Sequence, residues 1–135
     1  MSIVLPPGGV LIGLGCDIIE TERIRSVLEK HGERFLKRVF TEEEQAYCNS
    51  IKYPHKHYAA RWAAKEASPR PSPPHRRTSR VDLGVGLPRL PQGTARPPRR
   101  QGRALLAEVG ATHVWLTLSH IDTHAMAVAA LVRHA

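Results

Sequence analysis

The sequence contains few cysteines, few aromatic residues and no long apolar run. Its two cysteines, Cys16 and Cys48, lack the Cys-x-x-Cys spacing of a metal or redox motif, so we expect two free thiols in a reducing cytosol. The most apolar stretch, residues 10–19, is broken by two glycines and Asp17 and is far shorter than the roughly 20 residues of a membrane span. No basic segment precedes it, as a secretory signal would require, so we expect a soluble cytoplasmic protein.

The positive charge of the chain is concentrated in one segment. Residues 68–100 hold eight arginines, no lysine and a single acid, Asp82, and so carry +7 of the formal net charge of +8. The same 33 residues contain eight prolines and no aromatic residue, which is typical of disordered or extended chain. The length of 135 residues predicts one domain, residues 1–135, in which residues 68–100 are an aberrant, Arg/Pro-rich segment.

The first predicted element is a strand with a carboxylate inside it. Residues 10–20 are apolar and β-branched, as in a buried strand, and their glycines indicate close approach by a neighbour or a ligand. A buried aspartate must be paired, bound to a metal or protonated. Asp17 is therefore either a functional carboxylate or a residue at the strand end that caps a local turn.

Three helices are predicted to follow. Apolar residues recur at helical spacing over residues 21–31, Gly32 ends that helix, and a short helical piece follows it. Thr41 and Glu44 form a capping-box pattern that begins a helix running to about Ser50. The acids of this first turn favour capping and solvation over catalysis.

Residues 55–67 are the next predicted helix, and they carry the chain's densest group of candidate site residues. Arg61 and Lys65 are four residues apart, so both cations point the same way, and Glu66 follows directly. The alternative to a functional role for these three residues is a solvated helix face on which they pair with one another. We expect His55 and His57 to be surface residues, because a spacing of two does not converge on a metal from a helix.

Order is predicted to return after residue 101. Residues 102–109 favour a short helix closed by Gly110, and residues 113–119 alternate in polarity as a strand does. A turn and a second apolar strand over residues 124–132 complete a β-hairpin.

Four segments together resemble the holo-acyl-carrier-protein synthases, the short, trimeric class of 4′-phosphopantetheinyl transferases. They are residues 13–20 with Arg23, residues 41–44, residues 61–67 and residues 118–120. The resemblance implies an α+β fold in which an N-terminal strand and helices pack on an antiparallel sheet. It also implies Mg²⁺-dependent transfer of 4′-phosphopantetheine from coenzyme A to a serine of apo acyl carrier protein in fatty acid biosynthesis, leaving adenosine 3′,5′-bisphosphate.

The resemblance also implies roles for individual residues. Asp17 and Glu66 would hold Mg²⁺, and Glu66 would help to activate the serine hydroxyl. Lys65 and Arg61 would lie by the coenzyme A phosphates, and His120 would lie close to the nucleotide. Arg23 would face the acidic carrier protein. These residue types suit the chemistry, because attack on a pyrophosphate needs charge neutralisation and a proton acceptor.

The sequence departs from this family directly after Ala67, where the family has an aromatic residue, a small residue and a second, phosphate-binding lysine. A frame break is a candidate cause. If residues 68–74 are encoded as TCG-CCA-AGG-CCC-TCA-CCA-CCG, one T restored in front gives Phe-Ala-Lys-Ala-Leu-Thr-Thr. Because the second lysine is absent and proline costs about 3 kcal/mol in a helix, we expect residues 68–100 to be disordered or misfolded and the transferase activity to be weak or absent.

Two other function classes compete with this interpretation. The Arg/Pro segment could bind nucleic acid through its phosphates, although no aromatic residue is interleaved for stacking on bases. A zinc module built on His113, His120 and His124 is the second alternative. Its His-x-x-x-His spacing suits a helix, whereas here the spacing spans a predicted turn.

Overall fold

The computed structural model of the chain describes residues 7–67, 95–96, 104 and 106–134. Residues 95–96 are described by their backbone alone. The predictions for the rest of residues 68–100, for residues 101–103 and for Leu105 lie outside these ranges.

The described elements form one antiparallel sheet with helices on it. The strands are β1 (Val10–Glu20), β2 (Ala95–Arg96), β3 (His113–His120) and β4 (His124–Arg133), in the spatial order β1-β4-β3-β2. The helices are α1 (Thr21–Val39), α2 (Glu42–Asn49) and α3 (Pro54–Ala67). The predicted α+β fold, the first strand and the C-terminal hairpin are confirmed.

Small side chains let α3 lie close against the sheet. Its buried residues include a series of alanines, and the facing side of β4 is also alanine-rich. The members of these two sets are Ala59, Ala60, Ala63, Ala64 and Ala67 on α3, and Ala125, Ala127 and Ala129 on β4. Larger rings fill the space between helices, where the ring centroids of Phe40 and Tyr58 are 4.9 Å apart.

Two helix boundaries follow from local chemistry. Gly32 has φ +45° and ψ −128°, so α1 is two helical pieces joined by a kink, as the glycine predicted. Thr41 and Glu44 form the complete capping box at the start of α2.

Two predictions need correction. Among the described strands β1 lies at an edge and is not fully buried, since Leu14 and Ile18 are 63% and 65% exposed on the face away from the helices. Ala95–Arg96, inside the segment expected to be disordered or extended, is extended and pairs with β3 at Trp115 and Val114. His55 and His57 are partly buried rather than on the surface, because α3 packs its first turns against neighbouring rings.

Candidate functional site

Asp17 lies in the middle of β1 rather than at its end. It pairs with Ala127 of β4, which is fully buried, and residues paired across antiparallel strands point to the same face of a sheet. Asp17 therefore points to the helix side. Burial raises the pKa of the Asp17 carboxyl, the negative charge of Glu66 raises it further, and a backbone hydrogen bond at Ile18 acts against both.

Glu66 meets Asp17 because the last turn of α3 crosses β1. Both carboxylates line one cleft of about 460 Å³ together with Arg23. The other lining residues are mostly apolar and come from β1, α1 and α3: Ile18, Ile19, Ile24, Val27, His31, Phe35 and Trp62. The structure thus brings together three of the residues singled out from the sequence, and they come from three different elements.

Lys65 points across to α2. Its Nζ atom lies 3.4 Å from Oε2 of Glu44, and the two side chains are 13% and 0% exposed. Glu44 was expected to be a capping, solvated acid, and it does cap α2, but it is also buried. This burial is not visible in the local sequence, because Glu44 stands among other acids in a first helical turn.

Arg61 is buried within the fold of the single chain. Only 5% of the residue is exposed, its guanidinium lies 4.2 Å from the centroid of the Tyr47 ring, and Nη1 donates to the carbonyl of His57 at 3.5 Å. Lys65 and Arg61 therefore lie on the α2 side of α3. The cleft residues Asp17 and Glu66 lie on the β1 side.

His120 ends β3 and meets the first turn of α3. Its ring and that of His57 are edge to face, with centroids 4.9 Å apart. Burial lowers the pKa of His57, and the neighbouring His120, Arg61 and Lys56 lower it further. Sequence reasoning missed His57, since nothing local indicates that α3 would lean on the end of β3.

Asp122 anchors the turn that follows His120. It accepts a hydrogen bond from Lys56, which lowers the pKa of the Asp122 carboxyl. Thr21 adds a second tie, because its hydroxyl donates to the Asp122 carbonyl at 2.6 Å. The β3–β4 turn is therefore fastened to both α1 and α3, which fixes the position of His120.

The paired carboxylates suit a hard divalent cation. The negative charge of Glu66 adds to the burial that raises the pKa of the Asp17 carboxyl, and a cation between the two carboxylates would offset the repulsion between them. Among the residues that the structure describes, no group of three or more His, Cys, Asp or Glu side chains could hold a metal. Two carboxylates, with water and substrate phosphates completing the shell, are the usual provision for Mg²⁺.

Comparisons with known proteins identify the family of the chain. The family model for the 4′-phosphopantetheinyl transferase superfamily matches residues 13–68. A holo-[acyl-carrier-protein] synthase of Chlamydia trachomatis serovar L2 is 39% identical over 127 residues, covering 88% of this chain and 98% of that protein. The chain belongs to the holo-[acyl-carrier-protein] synthase family.

Two solved synthases extend the comparison to structure. The enzyme from Neisseria meningitidis matches with a TM-score of 0.65 at 21% identity, covering 90% of this chain and 98% of that one. The enzyme from Bacillus anthracis, solved in complex with CoA (3′,5′-ADP), matches with a TM-score of 0.54 at 25% identity, covering 91% and 97%. The family predicted from the four sequence segments is confirmed, and with it the class of enzyme, a phosphopantetheinyl transferase.

The zinc alternative does not fit the synthase fold. His113 and His120 stand at opposite ends of β3, about 24 Å apart at 3.4 Å per residue, and His113 stacks on His134 at a centroid distance of 4.0 Å. The nucleic-acid alternative rests on residues 68–100 and is not favoured by any of the comparisons. In the described parts of the chain, no helix is both long and apolar enough to cross a membrane.

Proposed function

We propose that this chain is a holo-[acyl-carrier-protein] synthase that transfers 4′-phosphopantetheine from coenzyme A to a serine of apo acyl carrier protein. The reaction needs Mg²⁺, leaves adenosine 3′,5′-bisphosphate and serves fatty acid biosynthesis in the cytoplasm. The observation that carries the proposal is the meeting of Asp17 and Glu66 in one cleft between β1 and α3. The coenzyme A complex of the Bacillus anthracis enzyme, a member of the same family, supports the choice of donor.

Asp17 and Glu66 are the proposed Mg²⁺ ligands. When bound, Mg²⁺ supplies charge neutralisation at the pyrophosphate. The carboxylate of Glu66 also accepts the proton of the carrier serine as its oxygen bonds to the phosphorus next to the pantetheine arm. The bond from that phosphorus to the bridging oxygen of the pyrophosphate then breaks, and adenosine 3′,5′-bisphosphate leaves with that oxygen.

The cations stabilise the charge that develops on the leaving phosphate. Lys65 and Arg61 lie one helical turn apart on the α2 side of α3, and we assign both cations to the coenzyme A phosphates. His120 is assigned to the nucleotide, where its partner His57 supports its ring. Arg23, exposed at the rim of the cleft, is assigned to the acidic carrier protein.

We propose that the assembly is a homotrimer, with the apolar face of the sheet as its interface. Leu14, Ile18 and Met126 are 63%, 65% and 43% exposed in the single chain. Ile18 pairs with Met126, and Leu14 lies four residues from Ile18 on the same side of β1, so the three form one face. A second copy of the chain is the partner that would cover such a face and place its residues beside the neighbouring cleft.

We also propose that residues 68–100 weaken the activity. The family model stops matching at residue 68, where the proline-rich segment begins, and the second lysine expected after Glu66 is absent. A lost and later restored reading frame accounts for both facts. Resequencing the locus tests this: a continuous frame that encodes residues 68–100 in close relatives as well would contradict it.

Mass spectrometry of apo acyl carrier protein tests the function directly. The carrier is incubated with this chain, coenzyme A and Mg²⁺, and the mass gain of one phosphopantetheine is followed with time. We expect slow conversion that depends on both additions. Conversion that continues unchanged after chelation of Mg²⁺ would contradict the proposed metal requirement.

A further inference from the structure

Glu44 is a fully buried carboxylate outside the cleft, and it needs a partner. It is 0% exposed, and burial of a carboxylate is costly unless the charge is paired and hydrogen-bonded. Within the described part of the chain, its Oε1 atom has no hydrogen-bond partner, so its contacts are concentrated at Oε2. A neutral residue would fill the same space without the desolvation cost of a buried charge, so the charge of Glu44 indicates a specific role.

Among the described residues, the Oε2 atom of Glu44 has two polar partners. It accepts a hydrogen bond from the backbone N–H of Thr41 at 2.8 Å, and it pairs with Nζ of Lys65 at 3.4 Å. The hydroxyl of Thr41 in turn accepts from the backbone N–H of Glu44 at 3.2 Å. The backbone N–H of Thr41, which an alanine would keep, therefore holds the Glu44 carboxylate at the N-terminal end of α2, and the carboxylate reaches α3 from there.

Lys65 is the residue that gains from this fixed position. A lysine side chain has four rotatable bonds, and ordering it on binding a phosphate costs conformational entropy. We propose that Glu44 is a positioning residue for the transfer reaction: it holds the Lys65 ammonium in place before the coenzyme A phosphates arrive. This inference rests on the proposed function, because it assigns Lys65 to those phosphates.

A purely structural role for Glu44 makes a different prediction. If the pair only joined α2 to α3, its loss would lower stability without any specific change in coenzyme A affinity. If Glu44 acts through Lys65, its loss weakens coenzyme A binding, and that effect requires Lys65. The two roles are separated by a double-mutant cycle on binding, measured beside stability.

The variants are Glu44→Gln, Lys65→Met and the double substitution, with Thr41→Ala as the matched control. Glutamine at position 44 keeps the shape and the capping box but removes the charge. Thr41→Ala weakens the cap of α2 and leaves the Glu44–Lys65 pair in place. Glu44→Asp, which keeps the charge but shortens the side chain, serves as a second substitution if Glu44→Gln does not fold.

Calorimetric titration with coenzyme A gives the dissociation constant of each variant, and circular dichroism gives its Tm. We expect Glu44→Gln to weaken binding about fivefold to tenfold in the natural background and less than about twofold beside Lys65→Met. We expect Thr41→Ala to lower the Tm and leave binding unchanged. Unchanged binding by a folded Glu44→Gln, or equal weakening in both backgrounds, would overturn the inference.

The same titration separates this inference from the proposed function. If this chain binds coenzyme A but neither it nor the chain with its reading frame restored forms holo-carrier, the transfer function is contradicted, while the cycle still decides the role of Glu44. A natural chain that does not bind coenzyme A overturns both.

Discussion

At the scale of single residues, the fold forces two carboxylates together. Asp17 and Glu66 come from a strand and a helix 49 positions apart in the sequence, yet they line one cleft. Burial raises the pKa of the Asp17 carboxyl and the negative charge of Glu66 raises it further, so the ionised pair is electrostatically unfavourable by itself. Carboxylates whose pKa values are shifted by burial and by a neighbouring charge are common at functional sites.

Glu66→Gln tests the role of the second carboxylate. The substitution keeps the size of the side chain but removes a proposed metal ligand and proton acceptor, so we expect holo-carrier formation to fall about 10²–10⁴-fold. Glu42→Gln, the same change at an exposed position of α2, is expected to keep the natural rate. A Glu66→Gln variant that retains activity within about threefold of the natural chain would contradict the assignment.

Asp17→Asn tests whether the buried negative charge of Asp17 lowers the stability of the fold. Because the pKa of Asp17 is raised in the folded chain, the ionised form destabilises the fold: the favourable contribution is present at low pH and is lost as the pH rises through the folded pKa. Asp17→Asn should therefore raise the Tm at pH 7 without Mg²⁺, by about 2–5 °C. The gain should shrink as the pH falls toward 3.8, the ordinary pKa of aspartate.

Mg²⁺ supplies the complementary measurement on the same variant. A ligand that binds only the folded state raises the Tm, so Mg²⁺ should stabilise the natural chain and not Asp17→Asn. An Asp17→Asn variant that is less stable than the natural chain at pH 7 in metal-free buffer would show that Asp17 is a structural residue.

The sequence could reveal some of these residues and not others. Asp17 was visible because a carboxylate in an apolar strand is chemically out of place. Glu44 and His57 were not visible, because each looks like an ordinary helix-surface residue until α3 packs against α2 and the end of β3. Burial of that kind is decided by tertiary packing, which a local pattern does not contain.

At the scale of the element, Gly32 decides the shape of α1. Its φ of +45° with ψ of −128° is a conformation that residues with a Cβ rarely adopt. A methyl group there would meet no atom within 4 Å in the described structure, so any cost of Gly32→Ala comes from the backbone alone. We expect Gly32→Ala to lower the free energy of unfolding by about 1–3 kcal/mol.

Chemical denaturation measures this cost, with Lys30→Ala as the control at an exposed helical position of the same element. The control should stay within about 0.5 kcal/mol of the natural chain. Equal stabilities for the two variants would show that α1 runs straight through Gly32 in solution.

Elements were predicted well where the signal is local. The capping box of Thr41, the glycine at position 32 and the alternation along β3 each specify a boundary through neighbouring residues alone. The position of β1 at one edge of the described strands was not predicted, because strand order depends on which strands pair, and β1 pairs with the last strand, β4.

At the scale of the whole molecule, the exposed apolar face of the sheet predicts self-association. Leu14→Glu places a charge in the middle of that face, at a position 63% exposed in the single chain. Since the side chain is exposed there, the fold should survive while the trimer dissociates. Ile121→Glu, at a turn residue that is 65% exposed, is the control and should leave the assembly unchanged.

Light scattering coupled to size exclusion measures both variants. A trimer for the natural chain and for Ile121→Glu, with a monomer for Leu14→Glu, is the expected result. A natural chain that is monomeric, or a Leu14→Glu variant that remains trimeric, would remove the sheet face from the proposed interface.

The most direct test of the whole account compares this chain with a version whose residues 68–100 are restored to the inferred frame. Both are incubated with apo acyl carrier protein, coenzyme A and Mg²⁺, and mass spectrometry follows the gain of phosphopantetheine. We predict rapid conversion by the restored chain, little by this one, and loss of both activities with Glu66→Gln. Conversion by neither chain would contradict the proposed function, and equal, rapid conversion by both would contradict the claim that residues 68–100 impair it.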